Sequence, residues 1–89
     1  MEKDFKITAT EGLHARPIAL LVNAVMPFEA EVQLTYKDKS VNMKSIVGVM
    51  SQGVASGSIV KISANGPDAE PLMQAVSEIM STKGIGEEC

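Results

Sequence analysis

Hydrophobic residues repeat at two different spacings in this chain, and the spacing switches back and forth within 89 residues. A two-residue repeat suits a strand with one buried face, and a three-to-four-residue repeat suits a helix, so the switching calls for a mixed α and β fold. Phe5 and Ile7 alternate with Lys6 and Thr8, a strand pattern. Glu11-Gly12 turns the chain, and from Ala15 to Met26 the residues Ile18, Leu21, Val22 and Val25 recur at helical spacing until Pro27 ends the element. Pro17 is tolerable near that helix start, where N–H groups have no helical partner. Val32, Leu34 and Tyr36 give a second strand, Lys37-Asp38-Lys39 a polar turn, and Ser40 to Met43 a short third strand. Ser45 to Gln52 reads as a short helix, weakened by Gly48 and closed by Gly53. A turn at Ser56-Gly57 precedes a fourth strand marked by Val60, Ile62 and Ala64, and Asn65-Gly66-Pro67 breaks the chain again. Asp68 is the predicted N-cap of a last helix with Leu72, Ala75, Val76, Ile79 and Met80 as its apolar stripe; Gly84 and Gly86 end it.

The predicted order is β-α-β-β-α-β-α. It implies a four-stranded antiparallel sheet with three helices packed on one face and water on the other, a two-layer α+β architecture. The length suits one domain over residues 1–89. Hydrophobic residues make up 45% of the chain but aromatic ones only 3%, so Val, Ile, Leu, Met and Ala must fill the interior. A net charge of −3 with no basic cluster argues against sequence-independent binding to nucleic acid. Met1-Glu2-Lys3-Asp4 lacks the layout of a signal peptide, and the longest apolar run, Pro17 to Val22, is too short to span a bilayer, so a cytoplasmic protein with no membrane insertion is expected. Cys89, behind Glu87-Glu88, is the single cysteine: it has no partner for an internal disulfide, and no ligand set for a metal accompanies it.

The chain's one histidine and one arginine stand two residues apart in Gly12-Leu13-His14-Ala15-Arg16-Pro17, at a predicted helix start. Helix N-termini leave N–H groups unpartnered and carry the positive end of the backbone dipole, so such a spot favours an anion. An imidazole there has a ring nitrogen able to accept a phosphoryl group, and the arginine could neutralise the added charge. Gly12 would allow the tight turn that aims the ring outward. The residues alone leave open a solvated surface histidine beside a solvated arginine. Autonomous catalysis is not expected: the nearby carboxylate is only Glu11, better read as a turn residue, and no glycine-rich phosphate loop with lysine and hydroxyl is present. The pattern suits a handle on which a group is parked, with no cofactor.

The segment Gly12-Leu13-His14-Ala15-Arg16-Pro17 resembles the active-site signature of HPr, the histidine-containing phosphocarrier family of the bacterial sugar phosphotransferase system. Asn42-Met43-Lys44-Ser45-Ile46-Val47-Gly48-Val49-Met50-Ser51 is similar to the regulatory-serine segment of HPr proteins from low-GC Gram-positive bacteria. The resemblance covers nearly the whole chain and implies that family's open-faced β-sandwich. By it, His14 would accept phosphate through Nδ1 from Enzyme I, itself charged by phosphoenolpyruvate, and pass it to Enzyme IIA domains, with Arg16 supporting the phosphoryl group. The protein would be a covalent intermediate between enzymes and is expected to be a monomer.

Ser45 on spacing alone is a helix cap, and a weak one, because position 48 carries no Glu or Gln. The resemblance implies instead a site for ATP-dependent HPr kinase/phosphorylase. A phosphate there would add roughly −1.5 to −2 charges at a helix N-terminus. It would oppose docking on Enzyme I and could favour a repressor such as catabolite control protein A. Ile46, Val47 and Met50 share the short helix; core packing should hold for some, while Val47 and Met50, with Ala19, are the candidate partner-docking residues. Three positions depart from the family's usual residues. Ile18 stands for alanine, as core filling or crowding a partner; Pro27 for lysine; and Gln52 for leucine. Two other readings stay open, a regulatory paralogue in carbon catabolite control and a small anion-binding domain that is never phosphorylated.

Overall fold

The computed structural model describes all residues, Met1 to Cys89. Its elements are β1 (Glu2–Ile7), α1 (Ala15–Val25), β2 (Glu31–Tyr36), β3 (Lys39–Asn42), α2 (Ile46–Ser51), β4 (Ile59–Asn65), α3 (Ala69–Thr82) and β5 (Gly86–Glu88). The strands form one sheet in the order β3-β2-β4-β1-β5, every pairing antiparallel. Register follows the apolar alternation: Phe5 faces Val60, Leu34 faces Ile62 and Val32 faces Ala64. These side chains are buried with Ile18, Leu21 and Val25 of α1 and Leu72, Met73, Val76 and Met80 of α3. The alternate residues Glu31, Gln33, Lys61 and Asn65 are exposed on the other face. No polar or charged side chain is buried, so the core carries no desolvated group in need of a partner.

The sheet has five strands rather than the four expected. Gly86-Glu87-Glu88 has no apolar alternation, yet it pairs with Phe5, Lys6 and Ile7 along the outer edge of β1. Ile85 seals the edge as a buried plug. Gly86 therefore does not end α3. It is a strand residue, and a side chain there would strike the Lys6 carbonyl at 2.7 Å. Gly84, at φ +63°, follows the end of α3 as expected.

Asp68 also departs from expectation. It occupies the N-cap position of α3 without making a side-chain cap. Its two carboxylate oxygens instead accept the Glu29 and Ala30 N–H groups, each at 2.8 Å, tying the α1–β2 connection to the start of α3. Lys44 fastens the same connection from another side, its Nζ donating to the Phe28 carbonyl at 2.6 Å. The β2–β3 hairpin turns through Lys37 and Asp38, at φ +50° and +65°, the left-handed pair that a two-residue hairpin needs to match strand twist. No helix is long and apolar enough to cross a membrane.

Candidate functional site

His14 occupies the N-cap of α1. Its backbone is extended, φ −99° and ψ −170°, so the chain becomes helical only at Ala15. Its carbonyl accepts the Ile18 N–H at 3.1 Å, while its ring makes no capping hydrogen bond and is exposed. The N–H groups of Ala15 and Arg16 donate to nothing within the chain, and Pro17 has none to offer. Two free donors thus stand at the positive end of a helix, directly after an exposed imidazole.

Arg16 is exposed too. The first turn of α1 holds no acidic residue, and the ion pairs of the molecule, Lys3–Glu88 and Lys61–Glu2, leave the guanidinium without a carboxylate. It is available to an incoming anion. None of five surface hollows, from the one beside Tyr36 and Gln52 to the one beside Phe5 and Glu88, is lined by His14 or Arg16. Exposed side chains of this kind do not enclose a small substrate, and suit contact with a partner that brings its own walls.

The loop before His14 holds it there. Gly12 N–H donates to Ala9 at 2.9 Å, and Leu13 N–H donates to the Val54 carbonyl at 3.0 Å. Leu13 and Pro17 are buried on either side of the exposed His14, Ala15 and Arg16, pinning the helix start from both ends. Gly12 adopts φ +73° with its α-carbon against the backbone of Val54 to Ser56. The glycine is needed twice over, for the left-handed turn and for the close approach. The sequence marks this turn and a second one at Ser56-Gly57, but not that the first rests on the Val54–Ser58 loop, because no local motif marks a contact about forty residues away in the chain.

Ser45 is the N-cap of α2, and its Oγ accepts the Gly48 N–H at 3.0 Å. Gly48, which weakens the helix by propensity, makes room for that cap: a side-chain carbon there would lie 3.2 Å from Ser45 Oγ. Of the apolar residues on α2 only Val49 turns inward; Ile46, Val47 and Met50 are 42%, 78% and 44% exposed, so core packing holds for none of these three. Ala19, half-buried, lies on α1, which packs against α2. Ile18 is wholly buried, as core filling requires. Gln52 donates from Nε2 to the Lys39 carbonyl at 2.7 Å, joining the end of α2 to the β2–β3 hairpin. Pro27 is exposed just beyond α1.

A family model described as the PTS HPr component phosphorylation site matches residues 1–82. The chain belongs to the HPr family. Solved HPr structures agree with its fold over almost their full length. A histidine-containing phosphocarrier protein of Mycoplasma is 30% identical, with 97% of this chain and 98% of that chain covered at a TM-score of 0.93. An HPr of Thermoanaerobacter tengcongensis is 40% identical, with 93% of each chain covered and a TM-score of 0.88. The HPr of Bacillus anthracis is 35% identical, covering 89% of this chain and 94% of that one at a TM-score of 0.82. The Thermoanaerobacter HPr has also been solved as a dimer, so membership of the HPr family does not support the expected monomer.

Proposed function

We propose that this HPr-family chain is a phosphocarrier in which His14 holds the phosphoryl group. The lone pair of neutral Nδ1 attacks the phosphorus of phospho-Enzyme I. The bond from phosphorus to the donor breaks as the new N–P bond forms, and its electron pair leaves with the donor. Transfer to an Enzyme IIA domain repeats the step with His14 as the leaving group. The Ala15 and Arg16 N–H groups and the Arg16 guanidinium donate to the phosphoryl oxygens while the group is parked.

One observation carries this reading: an exposed, unbonded imidazole at an N-cap whose next two N–H groups are free. Ala19, Val47 and Met50 serve as partner-docking residues, supported by the exposure of the last two. The setting is the cytoplasm, where Enzyme I and the Enzyme IIA domains would meet the carrier.

Ser45 is the second modification site in this reading, phosphorylated by HPr kinase/phosphorylase. Its place at a helix N-cap supports this, because phosphate oxygens can take over the Gly48 N–H now held by the hydroxyl. The added charge sits beside the docking residues Val47 and Met50. It weakens recognition by Enzyme I and gives a repressor such as catabolite control protein A a feature to bind.

The test is labelling with phosphoenolpyruvate and Enzyme I. The chain should take up acid-labile phosphate and its His14→Ala variant none; a labelled variant overturns the assignment. An anion-binding domain would bind without covalent gain.

A further inference from the structure

We propose that Tyr36 is a positioning residue for the chemistry at His14, acting through the Val54–Ser58 loop on which Gly12 and Leu13 rest. The inference builds on the phosphocarrier reading, which makes His14 the reacting group.

The loop is the seat of the site, and it has little structure of its own. Val54 is buried, but Ala55, Ser56 and Gly57 are exposed, and the internal bond is a single one, Ser58 N–H to the Ala55 carbonyl at 3.2 Å. External ties must therefore hold it. At its end, Ile7 N–H donates to Ser58 at 2.8 Å and Gly57 N–H to Ile7 at 2.7 Å, which fixes the loop to β1. At its start, Leu13 N–H donates to Val54. A side-chain hydrogen bond also reaches the loop, joining the Tyr36 and Ser58 hydroxyls at 3.3 Å.

Tyr36 is well placed to brace it. It ends β2, and its half-buried ring packs against the core. The Lys37 ammonium lies 5.3 Å above the ring centre, so the ring is held by core packing and by a cation–π contact. The phenol is the chain's only one. The Ser58 hydroxyl, and after it Lys37 and the Ala55 backbone, hold it below its ordinary value against the opposing effect of partial burial. The connection from Tyr36 to His14 is then continuous: Tyr36 to Ser58, along the loop to Val54, from Val54 to Leu13, and from Leu13 to the adjacent His14. Transfer between two proteins depends on the angle at which the ring meets phosphorus, so a looser seat slows the step without altering docking.

The experiment uses the full chain with Tyr36→Phe, which keeps the ring and removes the hydroxyl. With Enzyme I and phosphoenolpyruvate, kcat for His14 phosphorylation should fall about 3- to 10-fold, well inside the ~100-fold that a ~1 Å misplacement can cost, while KM stays at the wild-type value. Ser58→Ala should give the same loss, and the double variant no more than either single one, the mark of one shared interaction. Amide exchange at Leu13 should quicken several-fold in both variants and stay unchanged in β4. Wild-type kcat in Tyr36→Phe, additive losses, or unchanged Leu13 exchange would each overturn the proposal. If the wild-type chain takes no phosphate, the carrier reading fails and the positioning role falls with it; Leu13 exchange then still decides whether Tyr36 braces the loop.

Discussion

Gly12 lies so close to Val54 that a side-chain carbon on it would overlap the Val54 carbonyl oxygen and come within 3.0 Å of the Ser56 nitrogen. The same glycine sits at φ +73°. Backbone meets backbone here, and neither side can yield by turning a flexible side chain. The result is a fixed seat for Leu13 and, one residue on, for the exposed imidazole.

Gly12→Ala should destabilise the fold by more than ~1 kcal/mol, because a forbidden contact adds to the cost of a left-handed alanine. Gly53→Ala is the control. That residue has φ +60° with open space around it, so it carries the conformational cost alone. Urea unfolding of the two variants should rank Gly12→Ala clearly below Gly53→Ala, and equal midpoints would show that the close approach does not matter.

Ser45 separates capping from charge. Ser45→Ala removes the acceptor for the Gly48 N–H and should cost about 1 kcal/mol in thermal or urea unfolding. Ser45→Asp keeps a good cap and adds a negative charge, so stability should stay near wild type while kcat/KM with Enzyme I falls. A stable Ser45→Asp protein with undiminished kcat/KM would remove the regulatory role.

Asp68 links stability to pH. The Glu29 N–H, and after it the Ala30 N–H and the Lys44 ammonium, hold its carboxyl below the ordinary value in the folded state, against a smaller opposing effect of burial. A depressed folded value means the stabilisation is complete above the unfolded carboxyl's ordinary ~3.9 and is lost as pH falls through the folded value. Asp68→Asn should therefore melt below wild type at neutral pH, and the gap should close on acidification. A gap independent of pH would assign the effect to shape and not to charge.

The sequence alone was enough to order the first seven elements, because each carries its own apolar period or breaker; Phe5-Ile7 and Ile18-Leu21-Val22-Val25 are clear cases. It was silent where structure depends on a distant partner. Gly86-Glu87-Glu88 becomes a strand only because the edge of β1 is open beside it. Asp68 has the look of a cap, yet two N–H groups from the α1–β2 connection claim its carboxylate first. At the site, His14, Arg16 and Gly12 stood out as rare residues in one motif. The Val54–Ser58 loop and Tyr36 did not, since a small-residue loop and a strand-ending tyrosine carry no local sign of what they support. On α2 the closely spaced Ile46, Val47, Val49 and Met50 could not reveal which residue faces inward, because a helix that short has only one side against the core, and that side belongs to Val49.

The most direct measurement is intact mass and phosphorus NMR of the wild-type chain after incubation with phosphoenolpyruvate and catalytic Enzyme I. The expected result is one added phosphoryl group, lost in mild acid and bonded to Nδ1 of His14. An unmodified chain, or a phosphoryl group on any other atom, would contradict the account.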